Sequence, residues 1–183
     1  MSLAAERFRK VAAAFTDRVQ AVPAHAWSNP APPEGWDARD VVRHLVEWIP
    51  GFWSSNAGIE LPMGPSVDED PLGAWLALRD GLQAMLDDPA VASDEHDMRM
   101  GRMTVEDAVD MICTNDVFLH TWDLARAAGL DETLDPDEVH NLLEGMEPMD
   151  DLLRASGHYG PRVEVPADAD EQTRLIAFIG RRP

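Results

Sequence analysis

The chain has 183 residues, of which 45% are apolar and 27% charged, which fits a soluble globular protein with a sizeable core. It carries 34 acidic residues against 15 Lys and Arg, a net charge of −19, so nucleic acid and anionic membrane surfaces are excluded as partners. The lone cysteine, Cys113, excludes an internal disulfide. Charges fall where a signal peptide would be apolar, as in Glu6 and Arg7. No apolar run approaches the roughly 18 residues of a membrane span. A single cytoplasmic domain over residues 1–183 is expected.

Leu3, Phe8, Val11, Phe15, Val19 and Val22 recur at helical spacing and predict a first amphipathic helix ended by Pro23. Residues 24–34 are proline-rich and read as a loop, with Trp27 and Trp36 anchoring it to the body. Asp37 with Asp40 makes a capping box for a second helix. Its inward stripe is Val41, His44, Leu45 and Trp48, and Pro50-Gly51 is expected to stop it near Ile49. Residues 58–71 form a long connection or part of a site lid. A third helix runs over 71–86, with Leu72, Trp75, Leu78, Leu82 and Met85 inward. The stretch 91–103, ending in Met100-Gly101-Arg102-Met103, reads as irregular with a short extended piece.

Thr104 caps a fourth helix over 105–128, and Gly129 is its natural terminator. Asp135-Pro136 starts a fifth helix that is expected to run to about Ala155. Residues 162–165 alternate like a short strand, and a last short helix covers 170–179. The fold class is all-α: an up-and-down bundle with long crossings.

The fourth helix carries the chemistry. Asp116 and His120 are four residues apart, one above the other on a face otherwise lined by Val109, Cys113, Val117 and Leu124. A carboxylate and an imidazole on an apolar stripe need a partner. A divalent metal satisfies both, with His44 of the second helix as the third ligand. Two imidazoles and one carboxylate suit zinc, nickel or iron(II), and three protein ligands leave positions open for a small-molecule substrate. The bland alternative is two neutral histidines bonded to backbone or to Asp116. Asp123 either hydrogen-bonds a ligand histidine or faces water. Cys113 reads as a core residue before a fourth ligand, and Glu47 as solvated before a general base. His25, His96, His140 and His158 read as surface residues, and Trp48 and Trp53 as candidate pocket walls. Phosphate loops, nucleophile elbows and C-x-x-C pairs do not occur.

Three segments together resemble a known family. They are W-D-x-x-D-V-V-x-H-L at 36–45, D-x-x-x-H-T-W-D-L-A-R-A-A-G-L at 116–130, and a tail with Tyr159-Gly160-Pro161, Val165-Pro166, Arg174-Leu175 and Gly180-Arg181-Arg182-Pro183. The chain resembles the actinobacterial metal-binding proteins of the DinB-like superfamily, relatives of mycothiol-dependent maleylpyruvate isomerase. The resemblance implies a four-helix bundle with extra short C-terminal elements. It implies one divalent metal, zinc or nickel, at the positions of His44, Asp116 and His120. Where the isomerase has Glu as its middle ligand, this chain has Asp, one methylene shorter. The resemblance also implies a low-molecular-weight thiol, such as mycothiol or bacillithiol, as cosubstrate.

The expected function is a thiol-dependent metalloenzyme for isomerisation or S-transfer on a small electrophile. A metal-dependent hydrolase, a non-catalytic metal-binding bundle and iron(II) oxygen chemistry are the alternatives. The residues do not select an oligomeric state, and a homodimer is compatible with them.

Overall fold

The computed structural model describes residues 2–98, 101–155, 157 and 159–183. The expectations for Met1, Met100 and His158 lie outside these residues. The fold is mostly helical, an all-α bundle with one small hairpin among the described residues. No helix among the described residues is long and apolar enough to cross a membrane.

Helix α1 (Leu3–Ala21) starts at Ser2, whose hydroxyl accepts from the Ala5 amide. It buries Phe8, Val11, Phe15 and Val19. Thr16 couples it to helix α3 (Pro71–Asp87): Thr16 Oγ1 donates to the Ala12 carbonyl at 2.7 Å and accepts from Trp75 Nε1 at 2.8 Å. The Trp75 ring also meets Phe15 edge-on at 4.6 Å. A large indole is thus buried with its one donor satisfied.

Helix α2 (Ala38–Ala57) begins with the expected capping box between Asp37 and Asp40. It does not stop at Pro50, which lies inside the helix. A proline removes one amide donor and crowds the preceding turn, a local cost of about 3 kcal/mol. Burial of Ile49 and Trp53, both without exposed surface, keeps the helix going past it. The end comes at Gly58, in the left-handed region at φ +66°, where the Ile59 amide closes onto the Trp53 carbonyl.

The connection 58–71 lies along α3. A Cβ on Gly64 would sit 2.8 Å from the Ala74 Cα, so only glycine permits that approach. The stretch expected to be irregular contains one helical turn, Pro89–Ala92, and an antiparallel hairpin of β1 (Glu95–Met98) and β2 (Gly101–Thr104). It pairs Glu95 with Thr104 and Met98 with Gly101.

Helix α4 spans 105–128 as expected and ends at Gly129 with φ +67°. Within it lies a π-helical turn, Val109–Thr114. Side chains drawn to its carbonyls account for the wide turn. Thr114 Oγ1 donates to the Val109 carbonyl at 2.9 Å, Arg7 Nη1 to Asp110 at 3.0 Å and Asn115 Nδ2 to Met111 at 2.9 Å. One extra residue per turn rotates everything after it by about 100° relative to everything before it. Val109, Cys113, Val117 and Leu124 are all buried, but not as one straight α-helical line.

Helix α5 (Pro136–Met146) is shorter than expected. Pro148 lies in a 3₁₀ turn, Glu147–Met149, and α6 (Asp150–Ala155) follows. Residues 162–165 do not form a strand; Val163 makes one backbone bond, to the Ala177 carbonyl at 3.0 Å. Helix α7 (Glu171–Phe178) is capped by Asp170 and packs on α5.

Helices α1 and α2 each pack against both α3 and α4, so α1 and α2 occupy opposite corners of the bundle. That arrangement makes α2 and α4 neighbours, which places the expected ligands on facing helices.

Candidate metal centre

The structure brings His44, Asp116 and His120 together, with one ligand atom from each within 4.8 Å of the others. His44 comes from the second turn of α2, and Asp116 and His120 from successive turns of α4 just after the π turn. His44 Nε2 lies 3.2 Å from Asp116 Oδ2, and His120 Nε2 lies 3.5 Å from Asp116 Oδ1. The two imidazoles meet at 4.8 Å between centroids. Both thus direct Nε2 at one carboxylate.

Exposure is uneven. The side chains of His44 and Asp116 are 23% and 22% exposed, while that of His120 is 8% exposed. The site is closed behind His120 and open toward solvent at its other two members. Aromatic rings flank it. Trp36 lies 5.0 Å from His44 and stacks on His120 at 5.7 Å, and Trp48 meets His44 edge-on at 6.0 Å.

Asp123 faces the protein and not water. It has no exposed side-chain surface, and its Oδ2 lies 2.9 Å from His120 Nδ1. Arg181 reaches the same carboxylate, Nε donating to Oδ1 at 3.0 Å and Nη2 to Oδ2 at 3.2 Å. Burial alone would raise the Asp123 pKa, but His120 and Arg181 outweigh it and hold the carboxyl below its usual range. Asp123 is therefore the acceptor for Nδ1–H of His120, and a neutral His120 has its lone pair on Nε2.

The donor set fits a cation. A neutral His120 places a lone pair before the Asp116 carboxylate, and two acceptors at 3.5 Å repel. Either a second proton on His120 or a positive ion removes the conflict. The proton is the metal-free solution: burial depresses His120, yet Asp116 and Asp123 more than offset it and raise its pKa. The bland alternative accounts for His44, whose Nε2 bonds Asp116 at 3.2 Å, while the Asp123 bond at Nδ1 leaves the lone pair of a neutral His120 on Nε2, facing Asp116, where a metal could take it.

A pH dependence follows. A pKa raised in the folded state contributes stability that is present below the unfolded value, about 6.5, and lost as pH rises through the folded value. In chelator-treated protein, the stability lost on changing His120 to Gln is therefore expected to shrink from about pH 6 to pH 9. Urea unfolding at both ends of that range checks it, and a difference that grows with pH contradicts it.

The remaining candidates fall outside the cluster. Cys113 is fully buried, and burial pushes its thiol up to about 12. It is a core residue and not part of the ligand group. Glu47, His25 and His140 are exposed. His96 is partly buried on β1, 3.2 Å from Asp94, which corrects its reading as a surface residue. Trp53 is wholly buried and lines no open wall, whereas Trp48 stands at the site. Arg181 and Tyr159 were not assigned to the site from the sequence. Burial and then the Asp116 charge raise the Tyr159 phenol above its usual range.

The model of the mycothiol maleylpyruvate isomerase N-terminal domain matches residues 8–125. The chain belongs to this family. Two relatives are uncharacterised proteins of Mycobacterium tuberculosis, from strains H37Rv and CDC 1551. Each is 26% identical over 174 residues, covering 92% of this chain and 92% of the relative. No solved structure matches. The chain is thus a mycothiol-related, DinB-like protein with a donor set able to hold a metal. The family match includes His44, Asp116, His120 and Asp123 and ends before Tyr159 and Arg181.

Proposed function

We propose that His44, Asp116 and His120 hold a divalent metal, zinc first and nickel or iron(II) as alternatives. A low-molecular-weight thiol such as mycothiol serves as cosubstrate for isomerisation or S-transfer on a small electrophile. The observation that carries this reading is the convergence of two Nε2 atoms and a carboxylate within 4.8 Å, in a chain of this family. When bound, the ion supplies a Lewis acid that lowers the pKa of a coordinated thiol and keeps it as thiolate near neutral pH.

The chain's own residues do the rest. His44 and Asp116 leave the outer side of the site accessible, so a guest molecule can reach it without unfolding. His120 is anchored from behind by Asp123. Trp36 and Trp48 offer apolar walls beside His44. On this reading the bound thiol is the nucleophile and none is needed from the protein; Cys113 is buried and held as a thiol. A reducing cytoplasm and a small-molecule partner belong to the same reading, and the net charge of −19 opposes a nucleic-acid partner.

Thermal unfolding tests it. Mycothiol is expected to raise the melting temperature of the zinc-loaded chain and to leave that of the chelated chain and of His120→Ala unchanged. Equal shifts in all three would place the thiol elsewhere.

A further inference from the structure

Asp123 is met by groups from two distant parts of the chain. His120 lies three residues earlier on the same helix, and Arg181 lies 58 residues later. A buried carboxylate bonded only to an imidazole would keep an unmet charge and could turn about its side-chain bonds. The guanidinium fork removes both freedoms. It holds Oδ1 from Nε and Oδ2 from Nη2, which fixes the carboxylate plane. With the plane fixed, Oδ2 accepts Nδ1–H from one direction, and the His120 ring is set with Nε2 toward Asp116.

Arg181 reaches this position through a crossing of two glycines. Gly180 has φ +84°, and a Cβ there would lie 3.0 Å from the Gly160 Cα and carbonyl carbon. Only glycine satisfies both conditions. Arg154 of α6 secures the crossing, donating to the carbonyls of Gly160 and Phe178. The residues flanking the two glycines are Tyr159 and Arg181. The first feels the charge of Asp116, and the second binds Asp123. Nearby, Arg126 of α4 donates to the Arg182 carbonyl at 3.4 Å. Helix α4 is buried on nearly every side from Val117 to Ala125, more than a corner helix of a bare four-helix bundle would be. Yet the segment that carries Gly160, Gly180 and Arg181 lies beyond the residues matched by the family model.

We propose that Arg181 is a positioning residue of the metal centre, orienting Asp123 and through it His120, so that the Gly160–Gly180 crossing is a component of the site. The proposal rests on the reading of His44, Asp116 and His120 as ligands. It extends the site into the segment that carries Gly160, Gly180 and Arg181. Losing Arg181 also removes a positive charge near the ion, which by itself favours cation binding. The positioning effect is expected to win, because a misaligned ring removes a whole donor whereas a charge several ångströms away is a smaller perturbation.

The test uses the full chain and zinc alone, with affinity read by chelator competition. Arg181→Gln is expected to weaken zinc binding about 10- to 100-fold, and Arg181→Lys to recover part of the loss. Arg174→Gln removes another arginine of the same segment, one paired with Glu147 at 3.1 Å, and is expected to bind zinc as the parent does. Nitrogen NMR of the metal-free chain, taken at alkaline pH where His120 is neutral, is expected to show a single tautomer protonated at Nδ1 in the parent and a mixture of tautomers in Arg181→Gln. Zinc affinity within about twofold of the parent, with the His120 signature unchanged, would overturn the proposal. If Arg181→Gln fails to fold, Arg181→Lys decides: affinity equal to the parent also overturns it. Should the parent take no zinc, the ligand reading fails, and the NMR signature still decides whether Arg181 sets His120.

Discussion

Replacing His120 with alanine is expected to weaken zinc binding by roughly 100- to 1000-fold and to leave a folded bundle. Structural zinc sites bind with about 10–16 kcal/mol, so one ligand of three or four accounts for roughly 3–4 kcal/mol. At about 1.4 kcal/mol per factor of ten, that spans the stated range. The fold survives because the ring leaves a face of α4 on which Val117 and Leu124 remain packed, and alanine suits a helix. His44→Ala is expected to act alike, and with less cost to stability, because His44 is the more exposed of the two imidazoles. Asp116→Asn keeps the volume and removes the charge, so it separates packing from coordination. Metal content after dialysis against buffered zinc reads all three. Stoichiometric zinc in both histidine variants would refute the ligand set.

The largest loss of stability is expected at Asp123. Changing it to alanine leaves Arg181 and His120 facing each other as two donors without their shared acceptor. Breaking a buried ion pair by removing one partner costs about 3–5 kcal/mol. That is a large share of the stability of a domain of this size. Asp123→Asn is expected to cost less, since its amide oxygen still accepts from one partner, but the NH₂ that replaces the second oxygen donates and cannot accept from the other. Denaturant midpoints measured with chelator present isolate this from any loss of metal. A change below about 1 kcal/mol in Asp123→Ala would mean that the buried triad is not holding the C-terminal segment on α4.

Much of the bundle was legible because its signals are local. Asp37 with Asp40, Pro71 in a first turn, Thr104 and Asp135 are short-range start signals, and each begins a helix in the structure. The juxtaposition of Asp116 and His120 was legible for the same reason: four residues on a helix is a distance known in advance. The features that were missed are set by distant partners. Pro50 reads locally as a stop, and only the burial of Ile49 and Trp53 overrides it. The π turn before Asp116 draws on Arg7, 103 residues away. Pro148 ends α5 inside a stretch whose apolar spacing continues past it. Arg181 has no local mark of its role. Its only sign in the sequence was the Gly180-Arg181-Arg182-Pro183 tail, which carries a resemblance but not a contact. The choice between water and protein for Asp123 needed the same distant residue.

The central claim is that three side chains from α2 and α4 hold one ion and leave room beside it for a thiol. X-ray absorption at the zinc edge of the loaded chain tests this most directly. The prediction is one zinc per chain with a nitrogen and oxygen first shell, gaining a sulfur neighbour at about 2.3 Å when mycothiol is added. A chain that retains no stoichiometric zinc, or a shell that the thiol leaves unchanged, would contradict it.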